Sequence, residues 1–272
     1  MNLLGIVPQH DPYWQGHLNQ LAEALADYGI EVNPLLGVGA GARSWKLAPT
    51  ASANVSVSFW GREAAGVLNE RYGQTHIAIS GLPVGQQAIS ALTEQLAHLL
   101  GLEKDAVTER GFAGEQLQRA YLARTAPQYF AGGFQRDFAI AGELSAITGI
   151  VSFLADSIGL IPKLAIATDN VPEDEREVEA AALASVLRSF DAQLLFSQDS
   201  GEIAAAIEGA GPQLVLGSSL EAEGASRIGV PFVPISFPLA RRFIVNRGFV
   251  GATGALTLVE EVGSALLAKR AQ

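Results

Sequence analysis

Residues 136–168 read RDFAIAGELSAITGIVSFLADSIGLIPKLAIAT, and this stretch decides the fold. Asp137 to Ala141 is a short apolar run. Leu144, Ile147, Val151, Leu154 and Ile158 then recur at helical spacing, and Gly159 stops the helix before a second apolar run from Lys163 to Thr168. Strand, amphipathic helix and strand within roughly 30 residues have the length of one βαβ unit, whose strands lie parallel. The chain opens on the same plan: Leu3 to Val7, then Trp14, Leu18, Leu21, Leu25 and Tyr28, then Gly29 and a second run from Ile30 to Leu36. Strand starts at residues 3 and 31 in one copy and 137 and 164 in the other suggest one architecture used twice.

Outward from these anchors the first block continues with a strand Val55 to Phe59, a helix Arg62 to Tyr72, a strand His76 to Ser80 and a helix carrying Ile89, Leu92, Leu96 and Leu99. A further helix over Gln116 to Gln128 leads into Gly132-Gly133, the best boundary signal in the chain. The second block continues with a charged helix Pro172 to Phe190 and then alternates strand and helix: Gln193 to Phe196, Gly201 to Glu208, Gln213 to Leu216, Leu220 to Ile228 and Phe232 to Ile235. The expectation is two tandem Rossmann-like α/β domains, residues 1–132 and 133–272, each a parallel sheet covered by helices on both faces. A C-terminal helix with Leu256, Val259, Val262 and Leu266 is expected to pack back across the domains.

Composition narrows the function. A net charge of −10 with no local Lys/Arg cluster able to override it argues against a nucleic-acid partner. No apolar run approaches the roughly 18 residues of a membrane span, and the N-terminal Leu3 to Val7 run has no basic leader, so a cytoplasmic location is expected. The chain has no cysteine, which removes disulfides, cysteine nucleophiles and thiolate-held clusters. Its four histidines, His10, His17, His76 and His98, do not have metal-ligand spacing.

In parallel α/β sheets ligands gather at the carboxyl ends of strands, so seven loops matter: Pro8 to Tyr13, Ser80 to Gly85, Gly142 to Ser145, Thr168 to Val171, Gln198 to Glu202, Gly217 to Glu221 and Ser236 to Arg242. Gly37-Val38-Gly39-Ala40-Gly41 follows the second strand, not the first, and lacks the third glycine of a dinucleotide fingerprint, so a surface loop is favoured over phosphate binding. Ser218 and Ser219 with Glu221 read either as a helix cap or, through hydroxyls and free N–H groups at a helix start, as an anion site. His10 beside Asp11 reads as a helix-start signal before an acid/base pair, and Glu173-Asp174-Glu175 as a solvated first turn. Arg241, Arg242 and Arg247 cluster in an acidic chain, and their guanidinium forks suit a buried domain or subunit anchor or a ligand site.

The closing stretch Val233-Pro234-Ile235-Ser236-Phe237-Pro238, then Arg241 or Arg242, then Asn246-Arg247-Gly248-Phe249-Val250-Gly251 and Gly254-Ala255-Leu256 before an acidic apolar helix, resembles the C-terminal signature of the nitrogenase component 1 superfamily. The β-chain-like subunits of nitrogenases and nitrogenase-like reductases are the nearest in kind. Asn2 to Trp14, Leu82-Pro83-Val84-Gly85, Arg136 to Gly142 and Leu214 to Glu221 support the resemblance, which spans essentially the whole chain. Members typically have three α/β domains, the first carrying cysteines that hold a bridging cluster; this chain resembles only the second and third. It departs from the family at Ala252, where a tyrosine often follows the glycine, and it offers no cysteine or late histidine, so no metal ligand is carried over.

The resemblance implies a subunit, or a two-domain portion of one, of a nitrogenase-like oxidoreductase component that scaffolds a reductive metallocluster complex without itself ligating a cluster. It is not expected to be catalytic as an isolated chain. The partners it implies are a homologous cluster-bearing subunit and an ATP-dependent reductase, and any iron–sulfur cluster or metallocofactor would belong to the complex. Two other readings stand beside it: a two-lobed binding module for an anion or tetrapyrrole-like molecule, and a non-catalytic assembly protein. The residues singled out for a ligand or an interface are His10, Ser218, Ser219, Glu221, Arg241, Arg242, Asn246 and Arg247.

Overall fold

The computed structural model describes residues 1–8, 10–37 and 40–270, and the chain falls into two compact units. The first comprises Met1–Gln9, Tyr13–Leu122 and Val245–Thr257; the second comprises His10–Pro12, Ala123–Ile244 and Leu258–Gln272. No helix among the described residues is long and apolar enough to cross a membrane.

In the first unit β1 (Asn2–Leu4), α1 (Trp14–Ala26), β2 (Ala53–Ser56), α2 (Arg62–Tyr72), β3 (Thr75–Ala78), α3 (Gln86–Leu100) and the start of α4 (Lys104–Gly132) follow in order. The sheet runs β1-β2-β3, all parallel. Leu18, Leu21 and Leu25 bury one stripe of α1, as their spacing requires. The Ile30 to Leu36 run, expected as a strand, forms none. Pro34 removes a ladder donor in the middle of the run, and Asn33 is already engaged, its N–H on Met1 O at 2.8 Å and its side-chain amide on Asn2 Oδ1 at 2.9 Å. Leu35 is buried without strand pairing, against Leu4, Ala48 and Ala65. The step from β1 to β2 therefore runs from residue 2 to residue 53, and the expected matching of strand spacing between the two halves fails.

The amino edge of this sheet is fastened by side-chain amides. Asn2 Nδ2 donates to Asn54 Oδ1 at 2.7 Å and to Ala48 O at 2.9 Å; Asn54 Nδ2 donates to Gln74 Oε1 at 3.0 Å; Gln74 Nε2 donates to Ala48 O at 2.7 Å. All three amides are buried, so each bond also removes a desolvation penalty. Asn54→Leu leaves Asn2 and Gln74 unpaired in the interior and is expected to cost about 2–4 kcal/mol, read as a shifted denaturation midpoint at unchanged m.

The closing glycine segment returns to this same unit. Gly251 N donates to Pro83 O at 2.8 Å, Gly85 N donates to Gly251 O at 3.1 Å, and Val84 and Gly251 form a parallel bridge. Val250 N donates to Gln20 Oε1 at 3.0 Å, and the Phe249 ring lies 4.5 Å from that of Tyr13. The stretches around Trp14, Leu82 and Gly248, far apart in sequence, thus meet in one place.

The second unit contains β4 (Asp137–Gly142), α5 (Leu144–Phe153), β5 (Ile161–Ala167), α6 (Glu173–Glu179), α7 (Ala181–Arg188), β6 (Gln193–Phe196), α8 (Ser200–Ala210), β7 (Leu214–Gly217), α9 (Ser219–Arg227), β8 (Phe232–Pro234) and the latter part of α10 (Gly251–Arg270). Its parallel sheet runs β6-β5-β4-β7-β8, a doubly wound order whose direction of winding reverses between β4 and β7. Phe138 to Ala141 have no exposed surface, as expected for a central strand covered on both faces. Ala139, Ala141, Leu164, Ile166 and Val215 pack against Ile203, Ile207 and Ala225 from the helices of one layer. Pro162 has no N–H, and the ladder slips there: Phe138 pairs with Pro162 but Ala139 with Leu164, leaving Lys163 as a bulge.

Two helices differ from the sequence reading. The charged helix expected over Pro172 to Phe190 is broken at Ala180 into α6 and α7. The helix expected over Gln116 to Gln128 extends over 29 residues as α4, because its apolar Phe112, Leu117, Tyr121 and Phe130 are exposed and gave no one-sided period.

Candidate functional site

The winding of the second unit directs attention to the carboxyl ends of β4 and β7, where doubly wound sheets open a crevice. β4 ends at Gly142 and β5 beside it at Ala167, which are register partners. Each strand is followed by a carboxylate, Glu143 after β4 and Asp169 after β5, and both turn to the amino end of α5. Asp169 Oδ1 accepts from Leu144 N at 2.9 Å; Glu143 Oε2 accepts from Ala146 N at 3.0 Å and from the Ser145 hydroxyl at 2.7 Å. Glu143 is thus the N-cap of α5 as well as one member of a carboxylate pair.

The two roles pull in opposite directions. Hydrogen bonds from Ser145 and the backbone of Ser145 and Ala146 favour the charged form, but burial and then the charge of Asp169 oppose it, and the Glu143 carboxyl is pushed up to about 7. The residue keeps some surface, yet its carboxyl group is enclosed, and enclosure of the titrating atoms is what governs the shift. The result is a carboxyl group that exchanges its proton near neutral pH beside a second carboxylate, the arrangement that suits a general acid. Close by, the Ser236 hydroxyl donates to Ala141 O at 3.1 Å, and a Cβ on Gly142 would lie 3.2 Å from that of Ser236, so the floor of this corner is closely packed.

The residues singled out in the sequence divide between the units. Ser218 and Glu221 form a capping box on α9: Leu220 N donates to Ser218 Oγ at 3.1 Å and Ser218 N to Glu221 Oε2 at 2.7 Å. Ser219 N donates to Pro238 O at 2.8 Å, and Ser219 Oγ accepts from Ala240 N at 2.7 Å. The donors an anion would need at this helix start are engaged within the chain. His10 is exposed, with its ring 6.4 Å from that of Phe237. Arg241 is exposed, whereas Arg242 pairs with Glu261 of α10. Asn246 and Arg247 belong to the first unit, where Asn246 Oδ1 accepts from Asn19 Nδ2 at 2.8 Å and the Arg247 backbone lies against Gly16. Of the glycine run at 37–41, Val38 and Gly39 lie outside the described residues.

Sequence reasoning marked the loops at 142–145 and 168–171 without naming Glu143 or Asp169. The signal was a carboxylate within two residues of the end of each of two strands that the βαβ plan makes neighbours. In the first unit His76 on β3 shares a 2.7 Å hydrogen bond between Nε2 and Ser56 Oγ, and burial with the nearby Arg62 cation holds its pKa below the ordinary imidazole value. That keeps it neutral at pH 7 and suited to a structural bond between strands.

Two parallel α/β units, the second doubly wound with an acid pair at the carboxyl ends of β4 and β5, define the class as a layered α/β protein. Residues 1–267 match the family model described as nitrogenase component 1 type oxidoreductase, and the chain belongs to that family. It is 26% identical over 241 residues to the B subunit of light-independent protochlorophyllide reductase from Halorhodospira halophila, covering 86% of this chain and 43% of the relative. To the protein of the same name from Acidiphilium rubrum it is 27% identical over 253 residues, covering 92% and 47%. The chain therefore spans less than half the length of these relatives. A solved structure titled nitrogenase Cp1 at pH 6.5 superposes with a TM-score of 0.74 at 19% identity, over 98% of this chain and 59% of that one, a likeness of fold.

A thiolate-held cluster does not fit this chain: there is no cysteine in 272 residues, and among the described residues no group of three or more His, Asp or Glu is arranged to hold a metal ion.

Proposed function

We propose that this chain serves as a β-like subunit, or the two-domain portion of one, in a nitrogenase-like reductive complex, contributing scaffold and a proton-handling carboxyl group rather than metal ligands. The observation that carries the reading is the Glu143–Asp169 pair at the carboxyl ends of the neighbouring strands β4 and β5, in a chain of this family. Adding an electron pair to an unsaturated bond consumes two protons, so a reductive site needs acids that remain protonated near neutral pH. Glu143 meets that need, its proton affinity held high by burial and then by the charge of Asp169. The electrons come through a homologous cluster-bearing subunit supplied by an ATP-dependent reductase. The relatives' name points to a conjugated tetrapyrrole as the class of substrate.

The reading is tested by anaerobic expression of the chain alone and together with a cysteine-bearing homologue, with iron quantified after purification. Iron is expected only in the co-purified complex. Stoichiometric iron on the isolated chain, or failure of the two chains to co-purify, counts against it.

A further inference from the structure

The 3₁₀ turn Ser44–Thr50 is held from beneath with unusual thoroughness. The Ala48 carbonyl accepts from both Asn2 and Gln74, the Leu47 carbonyl accepts from the Asn33 amide at 3.0 Å and the Thr50 hydroxyl at 2.7 Å, and Ala48 is buried against Leu4 and Ala65. The outward side of this anchored turn nevertheless shows Trp45 (48% exposed) and Leu47 (41%) to solvent, flanked by the exposed cations Arg43 and Lys46. Single exposed apolar residues are ordinary, but a tryptophan and a leucine on a rigid turn with two cations have the composition of a binding hot spot whose ordering cost is already met by the fold.

The charge around this turn selects what it fits. Residues 32–62 contain Arg43, Lys46 and Arg62 and no carboxylate, so all 28 acidic residues of the chain lie elsewhere. The densest acidic run is Glu173-Asp174-Glu175-Arg176-Glu177-Val178-Glu179, which forms α6. Its Arg176 lies over the Phe196 ring at 4.9 Å, donates to Val171 O at 3.0 Å and pairs with Glu173 at 3.9 Å, while Asp174, Glu177 and Val178 are exposed. That helix offers what the turn lacks: carboxylates around an exposed aliphatic residue, with Val178 66% exposed.

We propose that the Ser44–Thr50 turn is a docking knob that seats against α6 of a second copy of this chain, with Arg43 and Lys46 on the α6 carboxylates and Trp45 over Val178. The residues on both sides are exposed, so charge reversal there leaves each core intact. Sedimentation velocity on the full chain, at up to about 100 μM protein, should show reversible self-association in about 0.1 M salt that weakens in about 1 M salt, as the screening length drops from about 10 Å to about 3 Å. The Arg43→Glu/Lys46→Glu variant and the Asp174→Lys/Glu177→Lys variant should each associate at least about tenfold more weakly than the wild type. Mixed together, the two variants should associate again, since the reversed knob then meets the reversed helix. A wild type monomeric throughout, an α6 reversal without effect, or a mixture that fails to associate would each overturn the proposal.

Discussion

In the proposed complex, Glu143→Gln is expected to lower reductive turnover by about 10²- to 10⁴-fold, the usual contribution of a positioned general acid, while leaving the chain folded. Glutamine preserves the cap, because its carbonyl oxygen can still accept from Ala146 N and the Ser145 hydroxyl, and it removes only the exchangeable proton. The same substitution changes stability in a direction that a merely structural role would not give. Glu143 releases its proton near 4.5 in the unfolded chain but at about 7 in the folded one, so between these values the native state binds more protons than the unfolded state. The stabilisation is complete below about 4.5 and is lost as pH rises through about 7. Glutamine does not titrate, so the variant should have a flatter stability profile over this window. Above it the variant should be the more stable of the two, by on the order of 1–3 kcal/mol. Denaturant titrations at about pH 5 and about pH 8 on both proteins check this. A wild type whose stability rises across the window would mean that Glu143 is an ordinary ionised cap.

The second large effect is expected in the first unit. Gly16 sits in α1 where the closing segment crosses it, and a Cβ there would lie 2.1 Å from Arg247 O, 2.3 Å from Arg247 C and 2.7 Å from Gly248 N. These are backbone atoms and cannot rotate away, and the closing segment is tied on its other side by Gly251 to Pro83 and Gly85. Gly16→Ala must therefore part the segment from α1, at a cost of about 3 kcal/mol or more and a Tm lowered by roughly 5–10 °C. Gly66 of α2, whose Cβ would meet nothing within 4 Å, provides the control: Gly66→Ala should be neutral to stabilising. Equal losses in the two variants would show that close backbone approach is not what Gly16 serves.

Why some of this was legible in the sequence and some not follows from the physics of particular segments. The second unit was readable because β4 and β5 are short, nearly continuous apolar runs, α5 carries a helical stripe between them, and the glycine stop at Gly159 is local. The Ile30 to Leu36 run misled because apolar content was the only signal, whereas the outcome was decided by Pro34 and by the bonds of Asn33 to Met1 and Asn2, which no local window contains. α4 was read short because most of its apolar side chains point to solvent. The capping reading of Ser218 and Glu221 was open to sequence, since the box is a three-residue spacing. The acid pair was less so: Glu143 and Asp169 are far apart along the chain, and only the parallel register of β4 with β5 makes them neighbours. The arginine cluster has members with different surroundings, Arg242 on Glu261 in the second unit and the Arg247 backbone against Gly16 in the first.

The most direct test follows the Glu143 proton itself. Infrared titration of the full chain should show a protonated-carboxyl stretch that disappears in Glu143→Gln and titrates at about pH 7 in the wild type. In Asp169→Asn the same band should titrate at lower pH, because the neighbouring charge that helps to hold the proton is gone. A Glu143 band that titrates in the ordinary carboxylate range in the wild type, or one that Asp169→Asn does not move, would contradict the account.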